Sequence, residues 1–354
     1  MKITVLTSVE QEKVTAKDLD EVVPQVARAL RKLGHQVSVV PVYRDVKQLI
    51  DRLSRRKPDL VFNMAEMFGD SVIGDMLIAA LLDTQGLKYT GSGPGELYLS
   101  QDKGLSKKLL DYEGILYPRY AVFSRTSDEF ETGGNLRMPL FVKPLRGDAS
   151  IGIRGADALV RDSSALMERV LQVHKECKDA ALAEEYIEGR ELYVGVLGNR
   201  EAQALPPVEL DMSGLPDHMP AVADKDVKFD EKLADRYGIE ARVADDLPDE
   251  MRARLQKVAV QAYRALRVRD YGRVDLRLTE AGEIYVLEVN ANPYLERDSE
   301  FAMAAESAGY EYPALLERIV ELAAERQPQS WQKRARRRAA ARRKAAPKRA
   351  AARS

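Results

Sequence analysis

Short runs of alternating apolar and polar residues recur along the chain, separated by stretches with the three-to-four-residue spacing of helices. In the N-terminal part this pattern predicts, in order, Lys2–Leu6 (strand), Glu21–Leu33 (helix), Gln36–Val42 (strand), Asp59–Asn63 (strand), 74–86 (helix) and 88–90 (strand). Such alternation indicates an open parallel sheet with helices on its faces. In a sheet of this kind, ligands bind beyond the carboxyl ends of the strands.

Farther along, a helix at Leu105–Glu113 and a strand at Arg119–Phe123 begin a second unit, and a third unit begins near Ala180. In the second unit, a strand that carries Lys143 runs into a loop of small residues at 147–153. Glycines let a backbone approach an anion closely and offer N–H donors, and a lysine adds a point charge. The loop therefore fits a flap over a phosphate group, although hairpin loops without any ligand share this composition.

The pattern that carries most chemistry is a predicted hairpin, in which two period-two runs, 274–278 and 284–289, flank a Glu-Ala-Gly turn. Asp275 lies on the first strand, and Glu288 and Asn290 point from one face of the second. Such oxygen ligands suit magnesium, which keeps substrate phosphates in its shell, so a nucleotide is implied. The alternative is an exposed hairpin with solvated acids. The apolar run around Glu288 instead predicts a central, buried strand, where an unpaired acid would be costly.

Composition bounds the class of protein. The chain has 354 residues with 45% hydrophobic content, which is enough for a large core and two or three domains. No apolar run approaches the roughly 20 residues of a membrane span, and the N-terminal residues enter a strand without a signal-peptide pattern. We therefore expect a cytoplasmic protein with no transmembrane segment. A single cysteine, Cys177, and 3 scattered histidines argue against a disulfide, a zinc site or a Cys–His nucleophile.

Charge is distributed unevenly along the chain. The formal net charge is -1, but the tail 333–354 holds 11 lysines and arginines and no acid, which leaves 44 basic against 56 acidic residues in the body. The tail has no large apolar residue, so we expect it to be disordered. It is a candidate for binding nucleic acid or an anionic surface, and a dispensable extension is the equal alternative.

The order of motifs resembles the ATP-grasp superfamily and, within it, the D-alanine–D-alanine ligase family. The resemblance spans about residues 1–326 and rests on four segments. They are the strand at 61–62, the turn Lys-Tyr-Thr-Gly-Ser-Gly at 88–93, the helix Ser-Gln-Asp-Lys-Gly-Leu-Ser-Lys-Lys-Leu-Leu at 100–110, and the ending from Asn-Ala-Asn-Pro at 290–293 through 309. The resemblance implies an α/β protein with the ATP-grasp fold, α+β in its grasp part. Together with the composition of the tail, it predicts four regions. They are 1–100 (N-terminal α/β substrate domain), 101–180 (central subdomain with the flap), 181–328 (C-terminal subdomain with the metal site) and 329–354 (disordered tail).

The resemblance also implies an activity, with ATP and magnesium (or manganese) as cofactors. A carboxylate would attack ATP to give an acyl phosphate, and an amine would then displace phosphate to form a dipeptide. No nucleophilic side chain is required, and the protein would supply positioning, electrostatics and exclusion of water. The substrates would be small amino acids or peptides, and the family also suggests a homodimer.

Carried over position by position, the resemblance assigns most of the ATP site. Lys103 and Lys143 match lysines that contact the phosphates, and Lys232 corresponds to a lysine of a mobile loop. The positions that match the adenine-reading hinge and the ribose-binding acid are Glu184, Glu185, Tyr186, Ile187 and Glu191. The positions that match the magnesium ligands are Asp275, Glu288 and Asn290.

The catalytic and substrate residues follow in the same way. Arg273 matches the arginine that steadies the transferring phosphate, and Ser150 matches the flap serine. Glu10 echoes the glutamate that receives the first substrate's amine, with an ordinary loop acid as the alternative. Ser299 matches a serine that receives the second substrate's carboxylate, and a helix N-cap is the alternative. Glu66 stands where the family usually has a histidine followed by glycine.

Departures from the family concern the substrate more than the reaction. After Asn290, the usual Pro-Gly-Met-Thr is replaced by Pro-Tyr-Leu-Glu-Arg-Asp at 293–298, which adds charges near the expected acceptor site. An amino-acid or peptide ligase with another substrate is therefore one alternative. A second is a nucleotide-binding regulator that uses the basic tail. The joint presence of Arg273, Asp275 and Glu288 with Asn290 favours turnover, because binding alone needs fewer of them.

Overall fold

A computed structural model shows two compact units. One comprises Met1–Gly95 together with the helix Tyr312–Glu325, and the other comprises Glu96–Glu311. The structure describes residues 1–11, 15, 18–69, 71, 73–126, 130–132, 135–146, 158–216, 219, 221–222 and 231–326. The flap loop with Ser150 and the basic tail lie outside these residues.

The described residues form the following elements. The strands are β1 Lys2–Ser8, β2 Gln36–Val42, β3 Leu60–Met64, β4 Tyr120–Phe123, β5 Phe130–Thr132, β6 Leu140–Pro144, β7 Leu159–Val160, β8 Ala181–Glu185, β9 Arg190–Leu197, β10 Gln203–Ala204, β11 Val208–Asp211, β12 Glu240–Val243, β13 Tyr271–Leu278 and β14 Ile284–Asn290. The helices are α1 Val22–Lys32, α2 Val46–Arg56, α3 Gly74–Thr84, α4 Pro94–Gln101, α5 Lys103–Tyr112, α6 Ser163–Glu176, α7 Glu231–Tyr237, α8 Asp249–Ala265, α9 Glu300–Ser307 and α10 Tyr312–Glu325.

The first unit confirms the predicted parallel sheet. Its strands run in the order β2-β1-β3, and both pairings with β1 are parallel. Helix α1 buries Val22, Val26 and Leu30, which recur at helical spacing and form one apolar face. Helix α10 belongs to this unit and packs against α1 and β3. Among the described residues, no helix has the length and apolar character needed to cross a membrane.

The predicted strand at 88–90 is wrong, because pairing there stops after a single parallel bridge between Val61 and Tyr89. The Val61 N–H donates to the Lys88 carbonyl, and the Thr90 N–H donates to the Val61 carbonyl. The next backbone donor, the N–H of Asn63, turns instead to the Thr90 side-chain Oγ1 at 2.9 Å. A side-chain acceptor thus replaces the backbone acceptor that a longer strand would have offered.

The second unit holds two sheets of largely antiparallel strands. The strand order is β5-β4-β8-β6-β7 in one and β12-β11-β9-β13-β14 in the other, with β10 paired to β9. Strand β8 pairs with β4 and β6, so the sheet of the middle region extends past the predicted boundary at residue 180. The chain crosses to the other sheet between β8 and β9. The predicted three-way division of the body stays a proposal.

The hairpin predicted around Asp275 and Glu288 is present, but one expectation about it is wrong. Strands β13 and β14 pair antiparallel, and β13 is central in its sheet. Strand β14, which carries Glu288, lies at the edge of that order instead of in its centre. Part of this edge is covered, because the Val286 N–H donates to the Leu116 carbonyl at 2.8 Å. Glu288 accordingly keeps 30% of its side chain exposed.

Gly189, in the turn between β8 and β9, generates a stability prediction. Its φ is +144°, and a Cβ there would lie 2.1 Å from the Leu278 carbonyl oxygen. Gly238 is a matched control, because its φ is +62° and a Cβ there would meet nothing within 4 Å. We expect Gly238→Ala to lower the free energy of unfolding by about 1 kcal/mol, because the alanine must adopt a left-handed backbone conformation but meets no steric clash. Gly189→Ala should lower the free energy of unfolding by about 3 kcal/mol or more, because the backbone at Leu278 must also move to make room for the Cβ. Urea denaturation checks this, and equal losses for both variants would contradict it.

Candidate active site

Four of the predicted site residues lie on one face of the second unit's larger sheet. In the register of β13 and β14, Asp275 lies directly opposite Glu288. Arg273 lies opposite Asn290 in the same register. Directly opposed residues share a face, and so do residues two apart along a strand. The sheet therefore brings together the guanidinium, both carboxylates and the amide that the sequence singled out.

Arg273 and Asp275 form a two-pronged ion pair at the centre of this face. The Arg273 Nε donates to Asp275 Oδ1 at 2.8 Å, and Nη2 donates to Oδ2 at 3.0 Å. A third contact joins Nη1 to Glu300 Oε2 at 3.3 Å, at the start of α9. Burial alone would lower the pKa of Arg273, but Asp275 and Glu300 raise it above its usual value. The guanidinium is thus a fixed positive charge with its plane set by Asp275.

A second group of charges, here called the lysine–glutamate cluster, consists of Lys103, Lys107, Lys143, Glu184 and Glu288. Lys143 Nζ lies 2.6 Å from Glu184 Oε1 and 3.2 Å from Glu288 Oε1. Lys107 Nζ lies 3.0 Å from Glu184 Oε2. Lys103 Nζ lies 3.8 Å from Glu288 Oε1. The cluster thereby joins α5, β6 and β8 to the hairpin strand β14.

Burial and charge pairing compete at each member of the cluster. Burial alone would lower the pKa of Lys143, but Glu184 and then Glu288 raise it above its usual value. Burial alone would raise the pKa of Glu184, but Lys107 and Lys143 bring it below its usual value. For Lys107 burial wins, and Glu184 offsets it only in part, so the pKa of this lysine is lowered. Lys143 and Glu184 therefore stabilise each other as ions.

The hinge positions lie where predicted, at the end of β8 and just beyond it. The Tyr186 N–H donates to the Pro139 carbonyl at 3.1 Å, and the Glu185 N–H donates to the Arg119 carbonyl at 2.8 Å. Ile187 is half-buried. These positions hold the connection between the two sheets of the second unit, and the adenine contacts assigned to them stay a prediction.

Glu191, the predicted ribose acid, is buried on the same face as Arg273 and Asp275. Its Oε1 accepts from the Tyr193 hydroxyl at 2.9 Å, and its Oε2 accepts from Arg277 Nη2 at 2.8 Å. Burial, followed by the charges of Glu191 and Asp275, raises the pKa of Tyr193 well above its usual value. The phenol therefore stays protonated and remains a donor to Glu191.

The oxygen groups on this face fit a magnesium ion. Each oxygen of Asp275 has a second acceptor position, so it can bind a cation while it keeps Arg273. The buried Nδ2 of Asn290 has no hydrogen-bond partner among the described residues, so its amide can turn to present its oxygen. Within the same residues, no three histidine, cysteine, aspartate or glutamate side chains come together as a metal site. Asn290 and substrate oxygens would therefore complete the set begun by Asp275 and Glu288.

Three residues of the site escaped the sequence assignment. Lys107 belongs to the quoted helix motif, but nothing local shows that its side chain is only 1% exposed. Arg277 follows Asp275 at period two, and this spacing places it on the same face. Tyr193 follows Glu191 in the same way. Strand periodicity extended from the assigned residues would have found the last two.

Ser299 is the N-cap of α9, as the structural alternative predicted. Its Oγ accepts from the Ala302 N–H at 3.3 Å and donates to the Glu296 carbonyl at 2.7 Å. A contact between Ser299 and a substrate stays a prediction. Lys232 lies in α7, next to 223–230, which are outside the described residues, and its ATP contact also stays a prediction.

In the first unit, Glu10 and Glu66 are exposed and follow the carboxyl ends of the neighbouring strands β1 and β3. The Glu66 N–H donates to Ser8 Oγ at 3.3 Å. A cavity of about 190 Å³ opens beyond β2, on the same edge of the sheet. Its lining residues are Val9, Pro41, Tyr43, Arg44, Asp45, Gln48 and Arg52.

Comparison with known proteins identifies the family of the chain. The family model described as D-ala D-ala ligase C-terminus matches residues 109–321. An uncharacterized protein, y4sG, of Sinorhizobium fredii is 31% identical over 306 residues, covering 84% of this chain and 86% of that protein. The D-alanine–D-alanine ligase of Aquifex aeolicus is 30% identical over 296 residues, covering 83% of this chain and 92% of that ligase. The corresponding ligase of Nitratidesulfovibrio vulgaris is 33% identical over 301 residues, covering 84% of this chain and 90% of that ligase.

Solved structures agree on the fold. A D-alanine–D-alanine ligase from Bacillus anthracis complexed with ATP has a TM-score of 0.66 at 23% identity, covering 91% of this chain and 97% of that one. The VanG D-Ala:D-Ser ligase of Enterococcus faecalis has a TM-score of 0.68 at 20% identity, covering 91% of this chain and 100% of that one. The fold is therefore that of the ATP-grasp ligases, as the sequence predicted. Within that class, the chain belongs to the D-alanine–D-alanine ligase family.

The lysine–glutamate cluster generates a second prediction. Glu184→Gln leaves Lys107 and Lys143 buried without their shared anion, and we expect it to lower the free energy of unfolding at pH 7 by about 3 to 5 kcal/mol. Glu188→Gln is the control, because Glu188 is exposed nearby, and it should change stability by less than about 0.5 kcal/mol.

The loss of stability in Glu184→Gln should also depend on pH. Since the pKa of Glu184 is lowered in the folded protein, its contribution is present above the pKa of the unfolded chain and is lost as pH falls through the folded value. The gap between wild type and Glu184→Gln should therefore narrow as pH falls below about 4.5. Denaturation curves at several pH values test this, and a gap that widens on acidification would refute the assignment.

Proposed function

We propose that the protein is an ATP-dependent ligase that joins the carboxylate of one D-alanine to the amine of another. The names of the curated relatives support this substrate. The observation that carries the proposal is the shared face of β13 and β14, where Arg273, Asp275, Glu288 and Asn290 adjoin the lysines of the cluster. Such a face offers cations for phosphate oxygens and anions for a metal, side by side.

The chemistry needs positioned charges and no side-chain nucleophile. A carboxylate oxygen of the first substrate attacks the γ-phosphorus of ATP, the bond to the β-phosphate oxygen breaks, and ADP leaves. The amine of the second substrate then attacks the acyl phosphate, and phosphate departs as the amide forms. Lys103 and Lys143 would neutralise phosphate oxygens, and Arg273 would steady the transferring group. Asp275, Glu288 and Asn290 would hold magnesium, which supplies charge neutralisation at those oxygens.

The remaining residue roles are part of the same proposal. Glu10 would receive the first substrate's amine and Ser299 the second substrate's carboxylate, while Glu66 would contact a substrate in place of the family's usual histidine. Ser150, in the flap loop outside the described residues, would act where water must be kept from the acyl phosphate.

A second candidate is a ligase of the same chemistry for another amino acid. The cavity beyond β2 favours it, since Arg44 and Arg52 line this cavity together with Val9, the residue before Glu10. Guanidinium groups there suit a substrate with an additional carboxylate. Acidic amino acids therefore belong in the substrate panel beside D-alanine.

The test is magnesium-dependent phosphate release from ATP with D-alanine, followed by a panel of L- and D-amino acids and dipeptides. We expect release with D-alanine and a fall of about 100-fold or more in Glu288→Gln, because a proposed magnesium ligand loses its negative charge and the ion would be held less well. Glu306→Gln, an exposed acid on α9, should retain wild-type turnover. Release with another amino acid alone would replace the substrate, and ATP binding without any release would favour the regulator.

We infer further that the protein is a cytoplasmic homodimer whose basic tail is dispensable for turnover and binds polyanions. Deleting 333–354 removes 11 positive charges and no acid, so the truncated protein should elute from heparin at lower salt than the full chain. Light scattering of both forms should give the dimer mass. A monomer mass for the full chain would contradict the homodimer. Elution of both forms at the same salt concentration would contradict polyanion binding by the tail.

A further inference from the structure

Tyr193 occupies the centre of the face on which the ATP site is proposed. It lies in β9, directly opposite Asp275 of β13, and is 1% exposed. Its neighbours on the same face are Glu191, two residues away, and Arg273. No substrate role is assigned to Tyr193 itself, yet it touches two groups that have one.

The hydroxyl of Tyr193 restrains the predicted ribose acid. It donates to Glu191 Oε1 at 2.9 Å, while Arg277 Nη2 donates to Oε2 at 2.8 Å. With one donor on each oxygen, the carboxylate cannot rotate about its terminal bond without losing a contact. Each oxygen keeps a further acceptor position, so Glu191 can still accept from a ribose hydroxyl.

The ring of Tyr193 restrains the guanidinium. The Arg273 Cζ lies 4.8 Å from the ring centroid, within the range of a cation–π contact. Asp275 fixes the same guanidinium along its edge. A contact on the face and a contact along the edge together leave Arg273 little freedom to turn.

We propose that Tyr193 is a positioning residue that holds Glu191 with its hydroxyl for the ribose of ATP and holds Arg273 with its ring for the transferring phosphate. The proposal rests on the proposed function and deepens it. Because the two duties belong to different parts of one side chain, substitution can separate them. Tyr193→Phe removes the hydroxyl alone, and Tyr193→Leu removes the ring as well.

The experiment compares the binding of ATP with that of 2′,3′-dideoxy-ATP by calorimetry in the presence of magnesium. The wild type should prefer ATP, since Glu191 has ribose hydroxyls to bind only there. Tyr193→Phe should reduce this preference roughly tenfold, the scale of a hydrogen bond to a charged group, and should raise KM for ATP more than it lowers kcat. Tyr193→Leu should in addition lower kcat about tenfold, since the cation–π contact is lost.

Tyr263→Phe is the matched control. Tyr263 is equally buried, and its hydroxyl donates to the Gly198 carbonyl at 2.8 Å, so the variant also loses one buried hydroxyl. It should keep the wild-type preference for ATP. Tyr193→Phe keeps the ring and the packing, so it carries the test even where Tyr193→Leu does not fold.

Three outcomes would overturn the proposal: no preference for ATP in the wild type, an unchanged preference in Tyr193→Phe, or an equal loss in Tyr263→Phe. Failure of the proposed function looks different. The wild type would then release no phosphate with any amino acid, while the binding comparison between the two nucleotides would still support or refute the role of Tyr193.

Discussion

Mutual neutralisation of buried charges is the constraint on which the site depends. A lysine or a glutamate that loses most of its water must find a partner of opposite sign, because the cost of an isolated buried ion exceeds most single stabilising terms. Lys143 meets this requirement twice, through Glu184 and Glu288. Since Glu184 belongs to one sheet of the second unit and Glu288 to the other, the same contacts that neutralise the charge also tie the two sheets together. The Lys143 ammonium group that stabilises this contact between the sheets is therefore also the group proposed to bind phosphate.

The remaining site residues extend from that cluster along one face. Arg277, Glu191, Tyr193, Arg273 and Asp275 follow each other on β9 and β13, and each touches the next. Strand register thus sets the spacing between the residues proposed for the nucleoside, which lie near the hinge, and the residues proposed for phosphates and metal. Strand register fixes these spacings more firmly than a loop could, because a slip by one residue would turn every side chain to the opposite face.

Sequence alone predicted the strands of the first unit's sheet and, on the central face, Asp275, Glu288 and Asn290, because both follow from short-range periodicity. It did not assign Arg277 or Tyr193 of the same face. The hairpin around Asp275 and the parallel sheet of the first unit are clear examples. It could not place β14 at a sheet edge, since the pairing partners of a strand are not encoded in its own alternation. Nor could it show that Lys107 is buried, because its partner Glu184 lies far away along the chain. The predicted strand at 88–90 is wrong for a related reason. The Asn63 N–H donates to the Thr90 side-chain hydroxyl instead of to a backbone carbonyl, and the local residue pattern does not show this.

The return of α10 to the first unit has a consequence for how the chain is made. A ribosome releases residues 1–95 first, yet their unit lacks α10 until the whole of the second unit, Glu96–Glu311, has been synthesised. Lys88 donates to the Ala324 carbonyl and Arg326 donates to the Tyr89 carbonyl, so the turn at 88–93 also waits for that helix. The second unit is continuous in sequence and can fold as it appears. The half-built first unit must remain soluble meanwhile, with the apolar face that α10 will cover still open to water.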